Sequence, residues 1–370
     1  LDLPIMVDKD SLEFPLGINT SFRQLRARII RTTDRAAALL AGCRLNLYPA
    51  GAHPVERRFC GGHIHVGTLA DESAGLRLEH RLFACVPALA ALAANAPASH
   101  GRWGAFKSYR VRDCAHGDIR PGMWCDPAVS QRVWGDDAGP KLNYAPTLEV
   151  RIVDAPSSRA LLAELVVFTA AVVQAEGARL GDEPPDPEAY RDYLVNRWTA
   201  ARDGLQATFR RRGRPVPAVE VLAALLDGCE DALRALGASR RDLPIITRML
   251  EKRFCQADLL APLHARYPDP YQLAGAHGQL LRHWTWFEET LDAAAPLDPR
   301  PMVDEAALLA AHLRLIGEGS HVYRTREAMA LPPPAADAVL QRLRDAGLVT
   351  LDFTPARGYT LSRIPGRAGP

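Results

Sequence analysis

The stretch Cys60-Gly-Gly-His-Ile-His-Val-Gly67 constrains this chain more than any other. Two imidazoles alternate with two branched apolar residues, the period of a β-strand, so His63 and His65 share one face while Ile64 and Val66 share the other. Gly61, Gly62 and Gly67 leave room for something bulky to approach the backbone at either end. Thr147-Leu-Glu-Val-Arg-Ile-Val-Asp154 repeats the design, with Leu148, Val150 and Ile152 as an apolar back and Glu149 and Arg151 in front. Two such strands predict a sheet covered by helices on one side and open to a ligand on the other.

The 370 residues, 48% of them apolar, can fill one large core and a smaller second one. A formal charge of +2 creates no electrostatic demand for nucleic acid. Seven scattered cysteines without a CxxC pair argue against a disulfide framework or a zinc knuckle and make a reducing cytoplasm the expected setting. No apolar run reads as membrane-spanning, and the N-terminus lacks the basic and apolar regions of a signal peptide.

In chain order, residues 1–20 read as short strands around an acidic turn, with Asp8, Asp10 and Glu13 as a small carboxylate group. The spacing of Phe22, Leu25, Ile29 and Ile30 predicts an amphipathic helix from Ser21, its N-cap, to Leu40. Cys43 to Leu47 reads as a strand, and Asp71 to Asn95 as helix broken near Pro87. The loop Gly101-Arg-Trp-Gly-Ala-Phe-Lys-Ser-Tyr-Arg110 offers Lys107, Ser108 and Arg110 as donors to an anion. The stretch 113–146 is irregular and long enough to serve as an active-site cover.

A nearly all-apolar helix, Leu161 to Val173, starts at Ser157 or Ser158, and helical patterns continue to about Ala295. Residues 296–302 read as a linker. Residues 303–370 read as helices followed by a hairpin, Leu348 to Phe353 and Tyr359 to Leu361, the outline of a winged helix.

Three chemistries suit the two-histidine strand: partly buried polar residues, a zinc hydrolase, or a magnesium-ATP site. The zinc reading needs further ligands, and no histidine lies between His116 and His264. The magnesium-ATP reading uses one histidine, carboxylates such as Glu149 and Glu13, and an arginine to neutralise phosphate.

Here the chain resembles the carboxylate-amine ligases of the type 2 glutamate-cysteine ligase family, relatives of glutamine synthetase. The resemblance rests on Ala50-Gly-Ala-His-Pro54, the two-histidine strand, Val86 to Pro97, the Gly101 to Arg110 loop, the Glu149/Arg151 strand and Asn196-Arg-Trp-Thr-Ala-Ala-Arg-Asp-Gly204, all in the family's order. It implies an α+β fold, a curved antiparallel sheet backed by helices with a helical second half, over residues 1–295. It implies ATP and Mg2+ as cofactors, with His63, Glu149 and Glu13 as metal ligands and His65, Arg151, Lys107 and Ser108 near the nucleotide. Arg151 and Arg110 are implied as catalytic, Arg110 by helping to bind substrate. The reaction implied is amide formation through an acyl phosphate, with small-molecule carboxylate and amine substrates.

Two departures stand out. The family opens with a strand carrying two alternating metal-binding glutamates, and no Glu-x-Glu precedes His63 here. The winged-helix-like tail is foreign to the family core. Together they frame a second reading: a degenerate ligase fold kept as a sensor or scaffold, its tail docking a protein, a peptide, DNA or a second copy.

Overall fold

The fold is that of a computed structural model, which describes residues 6–8, 11–43, 50–55, 59–67, 72–99, 101–113, 137–141, 146–181, 187–280, 283–302, 349–354 and 358–363. Strands β1 (Met6–Asp8) and β2 (Ser11–Glu13) form an antiparallel hairpin. Helix α1 (Phe22–Gly42) begins where the sequence predicts, because the Ser21 hydroxyl accepts the Gln24 N–H at 3.3 Å and stops the chain continuing as strand. It buries Phe22, Leu25, Ile29 and Ala36, while Ile30 stays exposed. The expected strand from Cys43 to Leu47 falls almost wholly outside the described residues.

Strand β3 (Gly61–Gly67) is followed by α2 (Glu72–Leu82) and α3 (Val86–Ala93). Pro87 sits in the first turn of α3, where its missing N–H sacrifices no helical bond. Next come β4 (Ala98–Ser99), β5 (Arg102–Trp103), the short α4 (Tyr109–Asp113), β6 (Ala138–Lys141) and β7 (Thr147–Asp154). The stretch read as an irregular cover therefore contains a strand, β6, hidden from pattern reading by Gly139 and Pro140.

The site-bearing sheet has the order β3-β7-β6, antiparallel throughout. Ile64 pairs with Val150 and Val66 with Leu148, so four apolar side chains share a back face, all buried. Against it lie α3 and α5 (Arg159–Gly177). Ser158 caps α5 by accepting the Leu161 N–H at 3.1 Å. By length and composition alone α5 passes for a membrane-crossing helix, a test that a buried core helix also meets. It is the central core helix, burying Leu161, Leu165, Phe168 and Val172, each contributing roughly 1.5–3 kcal/mol.

The second half runs through α6 (Pro187–Asp203), the hairpin β8 (Thr208–Arg211) and β9 (Arg214–Pro217), and α7 (Ala218–Gly228), α8 (Glu230–Ala235) and α9 (Pro244–Lys252). Glu164 of α5 caps α9 from the side, accepting the N–H groups of Ile245 and Ile246 at 3.2 and 2.9 Å. Helices α10 (Gln256–Arg266), α11 (Pro270–Leu280) and α12 (Trp286–Ala293) complete the helical part. Helices α1, α2, α7, α8 and α9 pack around α5 together with β3.

The segment read as a linker, residues 296–302, is hydrogen-bonded onto this body. The Leu297 N–H donates to Lys252 O and the Arg300 N–H to Gln206 O, each at 2.8 Å. Thr208 Oγ1 donates to Arg300 O at 2.6 Å, and the Arg300 guanidinium reaches buried Asp203 at 3.2 Å. Beyond it, β10 (Val349–Thr354) and β11 (Gly358–Arg363) form the predicted antiparallel hairpin. The helices of the winged-helix outline fall outside the described residues.

Candidate active site

The period-2 alternation of β3 places His63 and His65 on the face opposite the helices, with side chains 38% and 49% exposed. His65 lies directly across from Glu149 in the register, which brings two imidazoles from a distant strand to the carboxylate that Arg151, two residues further along β7, also approaches. Glu149 Oε1 stands 3.4 Å from His63 Nδ1, 3.5 Å from His65 Nε2 and 3.7 Å from Arg151 Nε. The Glu149 side chain is itself buried, so the carboxylate forms the floor of a patch whose rim is the two imidazoles and the guanidinium. Thr147, two residues before Glu149 on the same face, sets its hydroxyl 3.2 Å from His65 Nδ1. Sequence reading missed it, although the same alternation identifies it.

Burial and the Arg151 guanidinium, against the pull of Glu149, hold His63 down at about 4. At neutral pH its imidazole is therefore uncharged and keeps a lone pair free for a ligand. Magnesium takes mostly oxygen ligands, one or two of them protein carboxylates, and fills its shell with phosphate oxygens and water. Glu149 beside neutral His63 fits part of such a shell. Among the described residues no group of three or more His, Cys, Asp and Glu side chains is arranged to hold an ion.

Glu13, the third expected ligand, is not drawn into this cluster among the described residues. It is exposed on β2, which pairs with β1 in a sheet separate from β3-β7-β6 among the described residues.

A bulge in β7 fixes how Arg151 leaves the strand. Gly62 pairs with Val153 and Ile64 with Val150, so β7 carries one residue more than β3 between these pairs. On the other edge the N–H groups of Arg151 and Ile152 both donate to Asp137 O, at 2.8 and 3.2 Å. Two residues against one is a β-bulge, the device by which strands re-aim side chains beside functional sites.

Three expected site residues have other partners. Arg110 is 7% exposed and turned onto the protein's own main chain, donating to the carbonyls of Arg151 and Ile152 and to Asp154 Oδ1, the last at 3.4 Å. A Cβ at Gly61 would overlap that guanidinium, which is why β3 opens with glycine. Burial pushes the Asp154 carboxyl above the ordinary range, and Arg110, the Asn95 N–H and the Ser108 hydroxyl pull it part of the way back. Ser108 is thus fully buried, holding Asp154 and accepting the Val111 N–H at 3.0 Å at the start of α4. Lys107 is ion-paired with Asp258 of α10, its side chain 15% exposed. Of the loop expected to bind an anion, residues 101, 102, 104 and 105 are exposed, while the expected donors Ser108 and Arg110 are packed interior and Lys107 is paired.

The two arginines of the Asn196–Gly204 stretch, five residues apart on α6, take different partners. Arg197 binds Asp137 at 2.6 and 3.2 Å, and Arg202 binds Asp203. The cysteines described are all free thiols. Burial pushes Cys85 up to about 12 and Cys229 to about 11, so neither is a nucleophile at neutral pH.

A family model described as glutamate-cysteine ligase family 2 matches residues 51–125 and 136–283. The match spans β3 and β7 with all four patch residues, and leaves out Glu13 and everything after residue 283. Similar curated proteins include "Putative glutamate--cysteine ligase 2-2" from Mycobacterium sp. strain KMS, 28% identical over 290 residues, or 64% of this chain and 77% of that protein. Another is "Putative glutamate--cysteine ligase 2-1" of Streptomyces avermitilis, 28% identical over 294 residues, or 65% of this chain and 78% of that protein. Among solved structures, that of the Pup ligase PafA in complex with ADP aligns over 99% of this chain and 85% of its own. Its TM-score is 0.49 at 16% identity, a likeness too loose to decide anything about the fold.

Proposed function

Because the chain belongs to glutamate-cysteine ligase family 2, whose members are ATP-dependent ligases that form C–N bonds, we propose that the open face of β3 and β7 binds the ATP phosphates and joins an amino-acid carboxylate to an amine. The observation that carries this reading is the convergence of His63, His65 and Arg151 on one oxygen of buried Glu149. These residues stand on the antiparallel sheet β3-β7-β6, backed by helices.

A carboxylate is a poor acylating agent. In the proposed reaction a substrate carboxylate oxygen attacks the γ-phosphorus of ATP, releasing ADP and leaving an acyl phosphate. A neutral amine then attacks the acyl carbon, expels phosphate and loses its proton to a nearby carboxylate or to the departing phosphate. In this reading Arg151 offsets phosphate charge, and its hydrogen bonds strengthen as charge builds on the transferred group. His65 lies beside it for a second contact. Glu149 and His63 would hold magnesium, which supplies further charge neutralisation when bound.

Glutamate is the first carboxylate to test, on the strength of the family. Full-length protein is given magnesium-ATP, glutamate and a panel of amines, with ADP release followed and products weighed by mass spectrometry. The expected product has the mass of glutamate plus amine minus water, and His63→Ala lowers its rate by roughly a hundredfold or more. ADP release with no carboxylate-amine pair, or a rate untouched by His63→Ala, would overturn the proposal.

A further inference from the structure

We propose that Asp137 is a positioning residue for this site and that Arg197, with Tyr193, acts through it to fix the direction of Arg151. The inference rests on the nucleotide-binding reading above but adds residues that lie outside β3 and β7 and reach the patch through the main chain of Arg151.

Asp137 is joined to the structure at two ends. Its main-chain carbonyl accepts both bulge N–H groups, Arg151 at 2.8 Å and Ile152 at 3.2 Å. Its side-chain carboxylate accepts Arg197 Nε at 2.6 Å, Arg197 Nη2 at 3.2 Å and the Tyr193 hydroxyl. Asp137 is 3% exposed and Tyr193 fully buried, so these charge-assisted bonds compete little with water. Both donors come from α6, a helix that is itself pinned. The Asn196 amide exchanges two bonds with the Arg210 main chain, at 2.7 and 2.6 Å, and Asp192 receives the Arg212 N–H at 2.5 Å.

Helix α6 thus holds one carboxylate still, and through it the single carbonyl that keeps a residue of β7 bulged. Loss of that carbonyl leaves two N–H groups without their acceptor. The bulge then has no edge partner on the β6 side, and a one-residue change of register in a strand turns its side chains to the opposite face. Arg110, donating to the carbonyls of the same two residues, holds the bulge from the other side. The 3.7 Å approach of Arg151 to Glu149 is set by this clamp and not by β7 alone.

The test measures magnesium-ATP dissociation constants by calorimetry on the full chain. Arg197→Met and Asp137→Asn are made in the natural background and again in the Arg151→Met background. Each raises the constant roughly tenfold in the natural background and less than about twofold once Arg151 is gone, since residues acting through one another are not additive. Arg197→Lys, which keeps the charge but loses the fork, falls between, and it replaces Arg197→Met if that variant does not fold. The same factor in both backgrounds, or no change in either, overturns the proposal. If the natural protein binds no magnesium-ATP, the nucleotide reading fails separately. Positioning is then judged by amide hydrogen exchange: acceleration at Arg151 and Ile152 in Arg197→Met, with α5 unchanged, upholds it, and unchanged exchange at both amides refutes it.

Discussion

Arg110→Met separates a substrate-binding arginine from a buried one. The sequence resemblance puts Arg110 on substrate, whereas the structure surrounds its guanidinium with Asp154 and two main-chain carbonyls. Asp154 is 1% exposed, so removing its cation strands a charge in the interior. Breaking a buried pair in this way costs about 3–5 kcal/mol. Carbonyls left without donors add about 1–3 kcal/mol. Against a total stability of roughly 5–15 kcal/mol, the variant should be barely folded at room temperature. Its unfolding midpoint should fall by roughly 10 °C or more, at about 2–4 °C for each kcal/mol.

The sign of the pH dependence follows from Asp154. Burial raises its folded pKa above the unfolded value, and losing Arg110 raises it further. A carboxyl raised on folding destabilises as pH rises through its folded pKa, and that penalty vanishes where both states are protonated. The loss in Arg110→Met should therefore be larger at pH 8 than at pH 5, read by denaturant unfolding at both. A loss below about 1 kcal/mol, set against the 3–5 kcal/mol cost of breaking a buried pair, or one equal at both pH values, would refute the burial argument and return Arg110 to the substrate.

Two further predictions use the same logic. Lys107→Met leaves Asp258 nearly buried without its cation and should cost about 3 kcal/mol while magnesium-ATP affinity changes less than about twofold. Weakened nucleotide binding at an unchanged melting temperature would restore the phosphate role expected from the sequence. His277 is fully buried, and burial holds it down at about 3, so its contribution to stability is present above the ordinary histidine value of 6.5 and lost as pH falls from there towards 3. His277→Gln should flatten that limb of the stability profile. An unaltered profile would mean that the folded protein protonates His277 at no cost.

The sequence by itself determined whatever depends on a residue's near neighbours. Alternation with period 2 settled which face His63, His65 and Glu149 occupy, and the register then brought them together, while the direction of Arg151 depends on the bulge in β7. The Ser21 cap, the start of α5 at Ser158 and the break before Pro87 were legible for the same reason, since each is a bond or a missing N–H within a few residues. Tertiary structure alone decided which charges remain available to a ligand. Lys107 meets a carboxylate 151 positions away, Arg110 one 44 away, and Arg197 one 60 away, separations at which no periodicity carries information. Sequence supplies the cations and carboxylates, but chain folding and the cost of burying an unpaired charge decide which pair off as interior and which stay open at the site.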